Sequence, residues 1–289
     1  MNANRQPLSD SPRPSAAGRR SGNPGSELPD PNTLLAFAIE TAHQAGALLR
    51  DHFDTGLTAN HKGEIDLVTQ ADLESEALIL EAIQRTFPGH AVLAEESGTH
   101  GDRSAPLWIV DPLDGTTNFA HSFPHFCVSI ALHHDNARTL GVIYDPLREE
   151  TFWATAGRGA YLNNRPLRVT PVDRLIRSVI ATGFSYGREA ATHNNIAEFT
   201  GVVRRVQGIR RAGSAALDVA YVAAGRLDGY WEYYMQPWDI AAGALMVAEA
   251  GGLVTELDGG PWTPWSESTL AAGPALHPRL REALAPAPE

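Results

Sequence analysis

The sequence predicts a layered α/β fold, and three observations carry that prediction. Two stretches with apolar residues at helical spacing open its structured part. Short apolar strands separated by turn residues follow, and strands then alternate with helices nearly to the end. At 289 residues the chain can bury a large core, as one large domain or two tightly joined ones.

Residues 1 to about 30 are rich in Pro, Ser, Gly and Arg and nearly free of large apolar side chains. Burial cannot offset the entropy of ordering them, so a disordered tail is expected. Asp30-Pro31 supplies an N-cap followed by proline at the first helical position. Leu34, Leu35, Ala38, Ile39, Ala42, Ala45, Leu48 and Leu49 then keep helical spacing, predicting a helix to about His52. A second helix is predicted over 72–86, with Leu73, Ala77, Leu80 and Ile83 as its inner stripe and Pro88-Gly89 as its stop.

Two short strands follow, Ala91–Ala94 and Leu107–Val110, and each runs into acidic residues. Strands at 127–133, 140–144 and 150–154, separated by Asp135-Asn136 and Asp145-Pro146, predict an antiparallel meander. The second half predicts strand 179–182, helix 190–203, helix 215–224, strand 229–232, helix 239–250 and strand 253–256. The expected division is a tail over 1–30, an α+β half over 31–172 and an α/β half over 173–289.

Lys and Arg number 23 against 34 Asp and Glu, a formal charge of −11. That balance argues against general affinity for nucleic acid or anionic membrane, which needs clustered positive charge. The single cysteine, Cys127, excludes an intrachain disulfide and sits in the apolar run Phe126-Cys127-Val128-Ser129-Ile130, which reads as a buried strand. One cysteine also fits a cytoplasmic location. No run approaches the ~18 apolar residues of a membrane span. Arg19-Arg20 lacks the apolar segment that an export signal needs.

Three acidic clusters carry the chemistry: Glu95-Glu96 after one strand, Asp111 and Asp114 after the next, and Asp239 at the start of a late helix. Hard divalent cations take oxygen ligands, typically a few carboxylates with water and a substrate phosphate. A turn across Pro112 can aim Asp111 and Asp114 at one point. Gly115 permits an unusual backbone angle, and Thr116 and Thr117 add hydroxyls and amides that suit a phosphate if a helix begins there. Taken alone, Asp-Pro-x-Asp-Gly equally fits a surface turn.

Company decides between the two. The string Asp111-Pro112-Leu113-Asp114-Gly115-Thr116-Thr117-Asn118-Phe119 resembles the first signature of the inositol monophosphatase family. Trp238-Asp239-Ile240-Ala241-Ala242-Gly243, with Glu249-Ala250-Gly251-Gly252, resembles its second. Asp66-Leu67-Val68-Thr69-Gln70-Ala71-Asp72, Ala94-Glu95-Glu96-Ser97 and Arg211-Ala212-Gly213-Ser214-Ala215-Ala216 match further family segments, all in the family's order. The resemblance spans roughly 32–275.

It implies a sandwich of alternating α-β-α-β-α layers, as in the related fructose-1,6-bisphosphatases, assembled as a homodimer. It also implies Mg²⁺-dependent, Li⁺-inhibited hydrolysis of a small phosphorylated polyol, with inositol-1-phosphate as first candidate. Histidinol phosphate, fructose 1,6-bisphosphate and 3′,5′-bisphosphonucleotides are the alternatives. In the implied site, Glu95, Asp111 and the Leu113 carbonyl hold one Mg²⁺. Asp111, Asp114 and Asp239 hold a second, and a third shares Glu95. Asp72 and Thr116 form a hydrogen-bonded pair that, with Glu95, orients the attacking water. Amides at Gly115 and Thr116 cradle the phosphate. Gly213, Ser214, Ala215, Glu232 and Asp239 meet the organic half, and Lys62 lies in a loop that helps retain metal and phosphate. Tyr233-Tyr234 departs from many relatives by placing two aromatic rings just after Glu232, which leaves open the effect on the sugar pocket and with it the exact substrate.

Two other functional classes have some footing in the sequence. Gly183-Phe184-Ser185-Tyr186-Gly187 satisfies the Gly-x-Ser-x-Gly pattern of a serine hydrolase, but only His193 and His277 follow it and no His-Gly-Gly motif precedes it. The second is non-enzymatic: bacterial relatives are associated with RNA-handling machinery. The intact carboxylate set favours catalysis.

Overall fold

The computed structural model describes residues 28–55, 59–61, 67–185, 189 and 191–285. Nearly all of the expected tail, and Lys62, lie outside them. The first half contains α1 (Pro31–Thr55), β1 (Ala59–His61), β2 (Leu67–Thr69), α2 (Gln70–Thr86), β3 (Ala91–Ala94), β4 (Gly98–His100), β5 (Leu107–Asp114) and α3 (Thr116–Ala120). It continues with β6 (Cys127–His134), β7 (Ala137–Asp145), β8 (Glu150–Thr155), β9 (Ala160–Leu162) and β10 (Arg165–Pro166). After a 3-10 turn at Leu175–Arg177 come β11 (Val179–Thr182), α4 (Ile196–Val203), β12 (Gly208–Arg210), α5 (Ala215–Ala223) and β13 (Gly229–Tyr233). The chain finishes with α6 (Pro237–Glu249), β14 (Leu253–Thr255), β15 (Ser268–Ala272) and α7 (His277–Leu284). No described helix is long and apolar enough to cross a membrane.

Five layers result, in the α-β-α-β-α order expected. One sheet runs β10-β9-β8-β7-β6-β5-β3-β4, with only β3 and β5 parallel. The other runs β12-β11-β13-β15-β14. Strand alternation assigns each face to a layer. Val128, Ile130 and Leu132 of β6 pack with Trp108 and Val110 against α1 and α2. Cys127, Ala131 and Ile109 face the other way, onto the alanine-rich α5 and α6, which Tyr230, Ala181 and Ala271 of the second sheet cover from beyond. Ile180, Trp231 and Leu270 point outward to Val202 of α4 and Leu280 of α7.

α1 forms as predicted: Asp30 Oδ1 accepts from Asn32 N at 2.7 Å, and Leu34, Ala38, Ala42, Ala45 and Leu49 are buried. The inner stripe of α2 is different. Leu73 is 47% exposed and Ala77 is exposed, while Ala71, Asp72, Ser75, Glu76, Ile79, Ala82 and Ile83 are buried. Polar groups turn inward because backbone and side-chain partners wait there. Ser75 Oγ donates to the Pro112 carbonyl at 2.9 Å, and Glu76 Oε2 accepts from Glu96 N at 2.8 Å. The predicted helix over 190–203 begins only at Ile196. Asn195 adopts φ 66° and spends its side-chain amide on Thr182 and Gly183, so helix cannot pass through it.

Strand β5 runs four residues beyond its predicted end. Asp111 pairs with Ser129 and Asp114 with Cys127, so β5 carries one extra residue between them. In a regular strand, residues three apart face opposite sides. The bulge removes that opposition, which is how both carboxylates serve one site. The sequence signals also missed β15 and α7, although β15 is the strand that joins β13 to β14.

Candidate active site

Four elements bring the acidic clusters together at one rim. Glu95 directly follows β3, β5 supplies Asp111 and Asp114, α2 presents Asp72, and the first turn of α6 presents Asp239. Burial is the main force pushing the Asp111 carboxyl well above the usual range, with Glu95, Asp114 and Asp239 adding repulsion. Burial followed by Asp114 and Glu95 does the same to Asp239. Asp111 and Glu95 are hydrogen-bonded to each other. Among the described residues no three or more Asp, Glu, His or Cys side chains are arranged so as to hold a metal ion by themselves. Crowded, buried carboxyls resist ionising together, and a cation among them would relieve that repulsion.

Asp114 is raised mainly by burial but is held by donors: Ser214 Oγ at 2.6 Å, Ala216 N at 2.8 Å and the buried Cys127 thiol at 3.8 Å. Ser214 Oγ also accepts from Leu217 N at 3.3 Å, capping α5. The N-terminus of α5 therefore sits on the Asp114 carboxylate, a favourable place for negative charge. Burial pushes the Cys127 thiol well up, so it is no nucleophile.

Asp72 Oδ2 accepts from Thr69 N at 2.8 Å and Thr69 Oγ1 at 2.6 Å. Its Oδ1 lies 3.0 Å from Thr116 Oγ1, which also lies 3.1 Å from the Leu113 carbonyl. Leu113 N donates to Asp111 Oδ1 at 3.0 Å. The pairing expected of Asp72 and Thr116 is thus present. Gly115 has φ 104°, and a Cβ there would press on the His125 carbonyl and Phe126, so only glycine starts α3 without strain.

On the opposite wall, Asn118 Nδ2 donates to the carbonyls of His125 (2.7 Å) and Ala212 (2.9 Å), tying the Asp111–Thr117 segment to Gly213, Ser214 and Ala215. Glu232 is buried, and burial raises its carboxyl to about 7, while Tyr230 Oη, at 2.7 Å from Oε2, lowers it. The pleat sends Tyr233 to the opposite face from Glu232. It stacks on His193 (5.0 Å between centroids) and donates to Glu198 at 3.2 Å. Tyr233 therefore does not line the Glu232 side of the strand.

Sequence reasoning left Ser75, Glu76 and Asn118 without a role, yet they pin three of the site's backbone segments. Two polar residues at adjacent positions on one face of α2 were the available signal. The serine-hydrolase alternative finds little support: His193 stacks on Tyr233, and His277 Nε2 lies 3.0 Å from Thr255 Oγ1.

A sequence model of the inositol monophosphatase family matches residues 30–289. The inositol-1-monophosphatase of a Synechocystis species is 46% identical over 262 residues, covering 90% of this chain and 91% of that protein. The Nus factor SuhB of Salmonella typhimurium is 41% identical, covering 84% and 92%. The crystal structure of the extragenic suppressor protein suhB from Bartonella henselae superposes with a TM-score of 0.83 at 41% identity, covering 89% of this chain and all of that one. The chain belongs to the inositol monophosphatase family and is a phosphoric monoester hydrolase with the metal dependence of that family.

Proposed function

We propose that this enzyme hydrolyses inositol-1-phosphate, or a closely similar polyol monophosphate, with two or three Mg²⁺ ions. The convergence of Asp111, Asp114, Asp239 and Glu95 carries the proposal. Their close-set carboxyls, with Glu95 and Asp239 within repulsive reach of Asp111, form an all-oxygen donor set, which suits a hard divalent cation. Glu95, Asp111 and the Leu113 carbonyl would hold one ion, Asp111, Asp114 and Asp239 the second, and Glu95 would share in a third. When bound, Mg²⁺ neutralises phosphate charge and activates water for in-line attack.

The chain's own residues do the rest. The Asp72–Thr116 pair, with Glu95, orients the water. Amides at Gly115 and Thr116 receive the phosphate, and Lys62, outside the described residues, is assigned the family loop's part in retaining metal and phosphate. Gly213, Ser214, Ala215, Glu232 and Asp239 take the polyol, with Glu232 accepting from its hydroxyls. Phosphoryl transfer needs mainly positioning and charge neutralisation, so no covalent nucleophile is invoked. We place the enzyme as a cytoplasmic homodimer, with a metal-bearing half over 31–172 and a substrate-bearing half over 173–289.

The test is phosphate release at saturating Mg²⁺ from inositol-1-phosphate, histidinol phosphate, fructose 1,6-bisphosphate and adenosine 3′,5′-bisphosphate. A preference for any of the last three would overturn the inositol assignment. Likeness to a Nus factor supports a second role as a binding partner in a larger assembly. If no phosphomonoester is hydrolysed, that role stands alone.

A further inference from the structure

Glu232 is held from behind by two contacts that phosphoryl transfer itself does not require. Tyr230, two residues earlier on β13, faces the same side of the sheet, and its hydroxyl donates to Glu232 Oε2 at 2.7 Å. Tyr230 is fully buried between the two sheets, so its ring has no room to swing. Gly183 lies against the same carboxylate, where a Cβ would collide with both Glu232 oxygens.

Gly183 is itself fixed. Asn195 Nδ2 donates to its carbonyl at 2.6 Å and to Thr182 Oγ1 at 2.7 Å, while Asn195 Oδ1 accepts from the buried Trp231 indole. Asn195 pins this shelf from a left-handed conformation, φ 66°, which Asn tolerates better than most residues. The first glycine of the Gly-x-Ser-x-Gly string is thus explained: its empty side is filled by a carboxylate.

We propose that Tyr230 and Gly183 are positioning residues that preset Glu232 as a directional acceptor for polyol hydroxyls, and so set a preference for polyol over aryl phosphomonoesters. This rests on the assignment of Glu232 to the polyol. A carboxylate offers about four lone-pair directions. With Tyr230 on Oε2 and Gly183 behind, the remaining directions are fixed before substrate arrives. A preset group loses little rotamer freedom on binding. A buried acceptor also discriminates against a substrate with no hydroxyl to offer it, because the acceptor is then left unpaired.

The experiment compares inositol-1-phosphate with p-nitrophenyl phosphate at saturating Mg²⁺, using Tyr230→Phe, Gly183→Ala, Glu232→Gln and the Tyr230→Phe/Glu232→Gln pair. Tyr230→Phe is expected to raise KM for inositol-1-phosphate about 5- to 10-fold, with kcat within about twofold, part of the effect of a hydrogen bond to a charged group. The preference ratio of the two substrates falls accordingly, and Gly183→Ala moves it the same way. In the Glu232→Gln background, Tyr230→Phe is expected to add less than about twofold, because its effect passes through Glu232. Equal losses on both substrates, or an undiminished effect in that background, would overturn the proposal. If Glu232→Gln raises KM and Tyr230→Phe does not, the proposal fails alone. If Glu232→Gln leaves KM unchanged, the polyol assignment fails with it. Should Gly183→Ala not fold, the cycle with Tyr230→Phe still decides.

Discussion

Thr116 Oγ1 lies 3.0 Å from Asp72 Oδ1, joining the first turn of α3 to the first turn of α2 across 44 residues. The other Asp72 oxygen accepts from Thr69 N and Oγ1, so this buried carboxylate ties the start of α2 to the start of α3.

That relationship gives the first prediction. Thr116→Ala removes the hydroxyl that donates to Asp72 Oδ1. We expect kcat to fall about 10²-fold or more, the range of a lost proton-handling group, with KM changing little. Thr116→Ser keeps the hydroxyl and should restore most of the rate. Steady-state kinetics decide it, and a Thr116→Ser variant as slow as Thr116→Ala would sink the role given to the hydroxyl.

The carboxylate cluster predicts how metal and protons compete. Asp111 and Asp239 are raised in the fold, chiefly by burial. In metal-free protein, stability from their protonated forms is therefore present at low pH and is lost as pH rises through those raised values. Mg²⁺ binds the folded state and must displace those protons, so it should raise the Tm more at pH 8 than at pH 5. Asp111→Asn should abolish turnover and shrink the Mg²⁺-induced Tm shift, measured by thermal melts with and without EDTA. Near-normal activity in Asp111→Asn rules out the bridging role.

Much of this was legible in the residues. The apolar periodicity of α1 and the turn-separated meander of β6 to β8 are local signals, and they formed where expected. The failures share a cause, which is that distant partners outweighed local pattern. Leu73 faces out because Asp72, Ser75 and Glu76 have hydrogen-bond partners inside. β15, Ser-Thr-Leu-Ala-Ala, has no apolar alternation and is defined by β13 and β14 on its two sides. The β5 bulge, on which the aim of Asp111 and Asp114 depends, is set by register against β6; Pro112 signals an interruption at that point but not that the strand resumes beyond it.

Glu232 predicts a pH dependence. Burial lifts its carboxyl from an ordinary 4.5 to about 7. The folded state of metal-free protein thus holds this proton more tightly than the unfolded chain. Stability should fall as pH rises from about 4.5 to about 7, by roughly 3 kcal/mol, and then level off. Glu232→Gln removes that slope, so the difference between variant and wild type in denaturant melts should grow across the same window. Parallel curves for the two proteins would show that Glu232 does not titrate there.

Ser214 predicts a coupling between helix α5 and the metal-binding carboxylates. Its hydroxyl donates to Asp114 at 2.6 Å and accepts from Leu217 N at 3.3 Å, so one atom caps the helix and steadies a buried charge. Ser214→Ala should cost about 1–3 kcal/mol, the range for losing a cap and leaving a buried acceptor short of a donor. Asp114 keeps the Ala216 amide at 2.8 Å, so the fold should survive. The carboxylate is nevertheless freer to turn, and the Mg²⁺ concentration for half-maximal activity should rise several-fold. A Mg²⁺ titration beside a thermal melt separates the two effects. Lost stability with unchanged Mg²⁺ dependence would limit Ser214 to capping, because a serine that aims Asp114 cannot be removed without the cation sensing it.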